Sequence, residues 1–244
     1  MRAGLSSARV MAIIHDPTTL NRLYGRAKGK PLRVYQQGLV DDLLPRLLVP
    51  AEGEVTAQRL FGRHCPLHFE IGFGGGEHLA YRADMLPDHG FIGAEPFLNG
   101  VAQALSHIDG ESGYSPLANI RIQHGNALDV LRRIPDGALS FVYLLHPDPW
   151  PKTRHIKRRM MNDGPLALIA AKLKPGGEFR FGTDHPIYLR HALMVMRRHT
   201  DQFAWEISTP GDFQQRPGGW AETRYEAKAR AQGHEVWYFR YRRT

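Results

Sequence analysis

The stretch Leu67-His68-Phe69-Glu70-Ile71-Gly72-Phe73-Gly74-Gly75-Gly76-Glu77 decides the fold. A largely apolar run enters a glycine cluster, and a helical pattern follows near residues 76–86. Glycine lets the backbone turn sharply and lets a ligand approach the peptide groups. After a first strand, and opening a helix, such a turn has the context of a nucleotide-type site. Two details narrow the ligand. The dinucleotide spacing G-x-G-x-x-G asks for glycine at 77, where the chain has Glu77. Glu70 puts a negative charge just before the turn, which repels a pyrophosphate but suits an amine and a sulfonium. Both details favour S-adenosylmethionine over NAD, with Gly72 and Gly74 forming the turn around it.

Downstream the pattern alternates. Candidate strands are 66–71, 91–95, 119–124, 139–145, 177–183, 203–208 and 235–241, and helical patterns fall near 76–86, 97–108, 126–133, 157–173 and 186–198. Alternation of this kind predicts an α/β fold: a mostly parallel sheet with helices on both faces. The last two strands have no clear helix between them, so one of them is expected to be antiparallel. Residues 209–234 read as a long loop, with Pro210, Gly211, Pro217, Gly218 and Gly219. The domain is expected to span 65–244. Residues 1–64 read as a basic arm, in which Arg22, Arg26, Lys28, Lys30 and Arg33 alternate with Leu23, Tyr24, Leu32 and Tyr35. Within it, 38–49 carry a short helical apolar pattern, and 1–20 are open to disorder.

In an open α/β sheet, ligands sit outside the carboxyl ends of the strands. Glu95 ends the second candidate strand, where an acid can accept hydrogen bonds from ribose hydroxyls. Asn126 follows the third, placed either to meet an adenine or to cap the next helix. The apolar run Leu139 to Leu145 leads into His146-Pro147-Asp148-Pro149-Trp150. The two prolines restrict the backbone around the Asp148 carboxylate. Lys152, Arg154, Lys157, Arg158 and Arg159 then give five cations within eight residues, a candidate phosphate-binding run. Thr183-Asp184 ends the fifth parallel strand at the same edge; Asp184 could accept hydrogen bonds from a base or cap the next helix.

Composition agrees with an anionic partner. The chain has 244 residues, 42% apolar, and a formal net charge of +8. Its single cysteine, Cys65, precedes a buried strand and reads as a small core residue. Thirteen histidines show neither C-x-x-C nor H-E-x-x-H spacing, so no metal site is expected. There is no apolar run long enough for a membrane span and no apolar region of a secretory signal, so the expected compartment is the cytoplasm. Met11 is a second candidate start. Either a monomer or a homodimer is compatible with the sequence.

Together these residues resemble the bacterial tRNA (guanine-N(7)-)-methyltransferase family, from about Leu23 to the end. The motifs are Arg59-Leu-Phe-Gly-Arg63, Glu70-Ile-Gly-Phe-Gly74, Pro147-Asp-Pro-Trp150 with Lys152, Arg154-His155 with Lys157-Arg158-Arg159, Thr183-Asp184, and Thr223-Arg224-Tyr225-Glu226. The resemblance implies a seven-stranded Rossmann-like methyltransferase fold, S-adenosylmethionine as donor and tRNA as partner. It puts Glu70, Glu95, Asn126 and Asp148 on the donor side. Lys152, Asp184, Thr223, Arg224, Tyr225 and Glu226 fall on the substrate side. Three positions depart from its pattern: Asn126 stands where an aspartate is usual, and Gly75 and Pro151 also differ. An asparagine can still accept one hydrogen bond and donate another.

Guanine N7 carries an in-plane lone pair and no proton, so the expected chemistry is positioning without a general base. Asp148 would orient guanine or stabilise its developing charge. Asp184 and Glu226 would read the guanine edge, and Arg224 with the basic run would hold phosphates. The competing readings are methyl transfer to an exocyclic amino group, an NAD-dependent oxidoreductase, and a non-catalytic RNA-binding protein.

Overall fold

A computed structural model describes residues 29–110, 117–209 and 211–244. Seven strands form one sheet in the order β3-β2-β1-β4-β5-β7-β6. They are β1 (Leu67–Ile71), β2 (Gly90–Glu95), β3 (Ile120–His124), β4 (Leu139–Leu145), β5 (Leu173–Thr183), β6 (Phe203–Trp205) and β7 (Trp237–Arg243). β1 to β5 run parallel, and β7 is antiparallel to both β5 and β6. The single reversed strand among the last two is therefore β7. The chain leaves β1 toward β2 and β3 and returns on the other side as β4 and β5. The crevice at that switch lies between the loops after β1 and β4, which carry the glycine turn and Asp148.

Helices cover both faces, as the alternation predicts. On one face α4 (Glu77–Met85) and α5 (Leu98–Ile108) bury Leu79, Ala83, Val101 and Leu105 against Phe91 and Ile120. On the other, α6 (Ala127–Arg133), α7 (Asp163–Lys172) and α8 (Pro186–Met196) pack Leu131, Ile169 and Val195 with Phe69, Val142 and Phe179. The central strands β1 and β2 are buried at every residue, which is what two covered faces demand.

The N-terminal elements α1 (Val34–Asp42), α2 (Leu44–Leu47) and α3 (Ala57–Phe61) join these layers. Leu39, Leu44 and Leu47 enter the α4–α5 cluster, and Val55 and Leu60 the other. Val49 N donates to Ile122 O at 2.9 Å beside an isolated Leu48–Ile122 bridge, which covers the β3 edge. Residues 34–61, read from sequence as part of the arm, thus pack on the sheet. The arm residues Arg22, Leu23, Tyr24, Arg26 and Lys28 lie outside the described residues.

Four local readings are corrected. The helix expected over 157–173 divides into a 3-10 turn, Thr153–Arg158, and α7. The Asn162 amide causes the break by donating to Ile156 O and Arg159 O at 3.0 and 2.7 Å. The strand expected over 203–208 stops at Trp205. The long loop 209–234 contains a 3-10 turn, Asp212–Gln214, and a full helix, α9 (Arg224–Ala231). Cys65 is half-buried rather than in the core. His68 is buried, with Nδ1 2.9 Å from the Tyr143 hydroxyl and Nε2 2.7 Å from His89 Nδ1. Burial lowers its pKa to about 2, so the imidazole is neutral.

Candidate active site

The glycine turn is held from below by an acid. Gly72, Gly74 and Gly76 all have positive φ, at 68°, 57° and 79°. A Cβ on Gly72 would meet nothing within 4 Å, so open space lies in front of the turn. Glu95 Oε2 accepts from Gly74 N and Oε1 from Phe97 N, both at 2.9 Å. One carboxylate at the end of β2 therefore fixes the turn and starts the segment into α5. Burial first, and the nearby Asp148 in addition, push the Glu95 carboxyl above the ordinary range, while the two N–H donors oppose the shift.

Glu70 is only 3% exposed, and its Oε2 accepts from His78 Nδ1 at 2.8 Å. That carboxylate is tied to α4 behind the turn. Asn126 accepts from Leu128 N at 3.0 Å, which makes it the N-cap of α6, the second of its two sequence readings.

The Asp148 loop is strained on both sides. His146 and Trp150 are non-glycine residues with φ of 48° and 42°. Such conformations cost on the order of 1–3 kcal/mol each and persist only where surroundings impose them. Arg159 is part of that imposition. It is 3% exposed and donates from Nε to Pro149 O and from its terminal nitrogen to Trp150 O, both at 2.9 Å. Its guanidinium also lies over the Tyr188 ring at 5.6 Å. Arg159, expected from sequence to bind RNA, is thus corrected to an internal clamp on the acid's loop. A buried guanidinium with two carbonyl acceptors is not presented to a phosphate. Asp148 itself keeps an exposed face, yet burial of the rest pushes its carboxyl above the ordinary range.

Of the remaining basic run, Lys152, Arg154 and Lys157 are exposed. Arg158 lies over the Trp150 ring at 4.9 Å, and His155 meets that ring edge-on at 5.6 Å. Trp150 therefore packs with the basic turn. At the end of β5, Asp184 Oδ1 is 3.3 Å from His146 Nδ1 and Oδ2 is 3.7 Å from His234 Nδ1. The His146 hydrogen bond is the main reason its carboxyl lies below the ordinary range.

The Thr223–Glu226 segment is split by α9. Thr223 caps the helix, its hydroxyl accepting from Glu226 N at 3.2 Å. Glu226 is turned inward and 2% exposed; its Oε1 accepts from the Tyr238 hydroxyl, from Arg230 Nε at 3.1 Å, and faces Arg216 at 3.5 Å. The expected guanine-reading Glu226 is thus occupied within the protein. Arg224 and Tyr225 face the other way, onto the glycine turn. Arg224 Nε donates to Glu77 Oε1 at 2.6 Å, and a Cβ on Gly74 would lie 2.9 Å from the Tyr225 ring. Tyr225 is 52% exposed, and burial with the charges of Glu95 and Asp148 raises its hydroxyl pKa. Of the substrate-side residues of the sequence reading, Arg224 and Tyr225 thus meet the glycine turn.

The residues missed from sequence are those that join its parts: Glu77, His78, His146 and Arg159 as a clamp. Glu77 carried a usable signal, an acid in the first turn of the helix after the glycines.

Residues 64–239 match a family described as "Putative methyltransferase". The chain is 80% identical over 229 residues to the tRNA (guanine-N(7)-)-methyltransferase of Sphingopyxis alaskensis, covering 93% of this chain and 97% of that protein. It is 43% identical over 227 residues to the tRNA (guanine-N(7)-)-methyltransferase of Brucella anthropi, covering 92% and 95%. The crystal structure of the 16S rRNA methyltransferase KamB superposes with a TM-score of 0.52 at 12% identity, over 81% of this chain and 98% of that one. That likeness bears on the fold, the seven-stranded methyltransferase sheet. With both the sheet and relatives of this similarity along nearly its full length, the chain belongs to the tRNA (guanine-N(7)-)-methyltransferase family.

Proposed function

We propose that this protein transfers a methyl group from S-adenosylmethionine to N7 of a guanine in tRNA, in the cytoplasm. The observation that carries the reading is the Asp148 loop. An acid lies at the switch crevice, on a strained loop clamped by Arg159, beside the glycine turn and ahead of exposed cations.

The residues present fit the donor. Gly72 faces open space, and Gly74 beside it has its N–H fixed by Glu95. Gly72, Gly74, Glu95 and Asp148 would hold it; Glu70 would act from behind the turn through His78. When bound, S-adenosylmethionine supplies an electrophilic methyl group. The chain's task is then to orient the guanine N7 lone pair and to exclude water. No residue has to take a proton from N7, so Asp148 is not needed as a base. Its carboxylate stabilises the positive charge that develops on the ring. Lys152, Arg154, Lys157 and Arg158 hold the RNA backbone, and Asp184 and Tyr225 line the guanine's approach.

The test is nucleoside mass spectrometry of total unmodified tRNA after reaction with the purified protein and donor. The expected product is 7-methylguanosine, which carries a fixed positive charge. A neutral, exocyclically methylated guanosine as the sole product would replace the reading with amino-group transfer.

A further inference from the structure

Helix α4 holds the substrate-side segment at three points. Arg82 donates to Gly219 O at 3.0 Å, His78 meets Trp220 edge-on at 6.2 Å, and Glu77 pairs with Arg224 at 2.6 Å. The same helix begins at the glycine turn and, through His78, holds Glu70. One short helix therefore touches both halves of the crevice. The contact at its first turn is the closest. A Cβ on Gly75 would fall 1.8 Å from the Arg224 guanidinium, so the arginine lies flat on the turn only because residue 75 has no side chain. Next to it, the Tyr225 ring rests on Gly74. Arg224 and Glu77 both act electrostatically on His107 of α5, which lies beside the pair.

We propose that Glu77 and Arg224 form a latch that couples the two substrates' sites, with Glu77 as a positioning residue. The inference rests on the function proposed above. With the pair made, Tyr225 is held against Gly74 as a wall of the donor pocket, and α9 is docked in one orientation toward the RNA. A donor that fills the pocket against Tyr225 stabilises the docked α9, and a tRNA that engages α9 stabilises the wall. Coupling of this kind is reciprocal: each ligand tightens the other by the same factor. The pair is partly exposed, so its share of that factor is about two- to five-fold.

The experiment measures the dissociation constant of an unmodified tRNA transcript for the full chain, with and without saturating S-adenosylhomocysteine. Wild-type protein, Glu77→Gln and Gly75→Ala are compared, with thermal melting as a fold check. Gly75 does not occupy the positive-φ region, so alanine suits its backbone, and the nearest atoms its Cβ would displace are those of the Arg224 guanidinium. In the wild type S-adenosylhomocysteine should tighten tRNA binding. Both variants should lose about two- to five-fold of that tightening, and the Glu77→Gln/Gly75→Ala double variant should lose no more than either alone. A purely structural role would lower the melting temperature without moving this ratio. Wild-type coupling in both variants, or none in a wild type that methylates tRNA, overturns the latch and leaves the proposed function standing. A wild type that methylates no tRNA overturns both.

Discussion

Asp148 lies where burial raises its carboxyl, and this has a direction in pH. An acid with a raised pKa loses its charge at a higher pH than a free aspartate does. If the carboxylate stabilises developing charge, the single-turnover rate falls on the acid side through that raised pKa. Protonation of N7 itself also suppresses reaction in acid, so the variant decides. Asp148→Asn should lower the rate by about 10²-fold, in the range for loss of one electrostatic group, and its remaining activity should lack the carboxyl's acid limb. An unchanged limb in Asp148→Asn would assign the pH dependence to the RNA alone. Arg159 supports the same loop from inside. Arg159→Ala removes two hydrogen bonds from a buried cation, and should cost about 1–3 kcal/mol in chemical denaturation. Lys157→Ala, at an exposed position, should leave stability within about 0.5 kcal/mol.

At the scale of elements, α9 shows how one short helix can face two ways. Its inward side seats Glu226 and Ala229, with Glu226 bonded to Tyr238 and Arg230. Its outward side carries Arg224 and Tyr225 onto the glycine turn. Glu226→Ala should therefore destabilise the fold by about 1–3 kcal/mol, the cost of leaving the proton of the buried Tyr238 hydroxyl without its acceptor. A urea titration that found no loss, with reduced guanine methylation, would return Glu226 to the substrate. The helix was hidden in the sequence for a physical reason. Only two of its residues are buried, so it has no apolar period, and prolines and glycines precede it. The signal that was present is the capping pair, Thr223 with Glu226 three residues later. The same four residues also form the family motif, and their chemistry drew the reading away from their role in capping.

At the scale of the molecule, the parallel sheet was legible because its signals are local. β1 and its glycines, the apolar run of β4, and the acids ending β2 and β5 each lie within a few residues. What was not legible is how side chains turn once the chain is folded. A run of five cations looks uniform, yet Arg159 points in and Lys157 points out, because the 3-10 turn and Asn162 set the register. That division predicts the salt dependence of tRNA binding. Each phosphate neutralised by an exposed cation contributes about 0.7–0.9 to the slope of log K against log salt. Replacing Lys152, Arg154 and Lys157 by alanine together should make the slope shallower by about 2–3, while leaving S-adenosylhomocysteine affinity in place. Arg159→Ala should weaken tRNA binding by disordering the Asp148 loop, with the slope unchanged. The measurement is tRNA binding by the full chain across a salt series. If Arg159→Ala shifts the slope as much as one exposed lysine does, the buried arginine reaches RNA after all. If the triple variant leaves the slope intact, the phosphate contacts lie elsewhere on this basic chain.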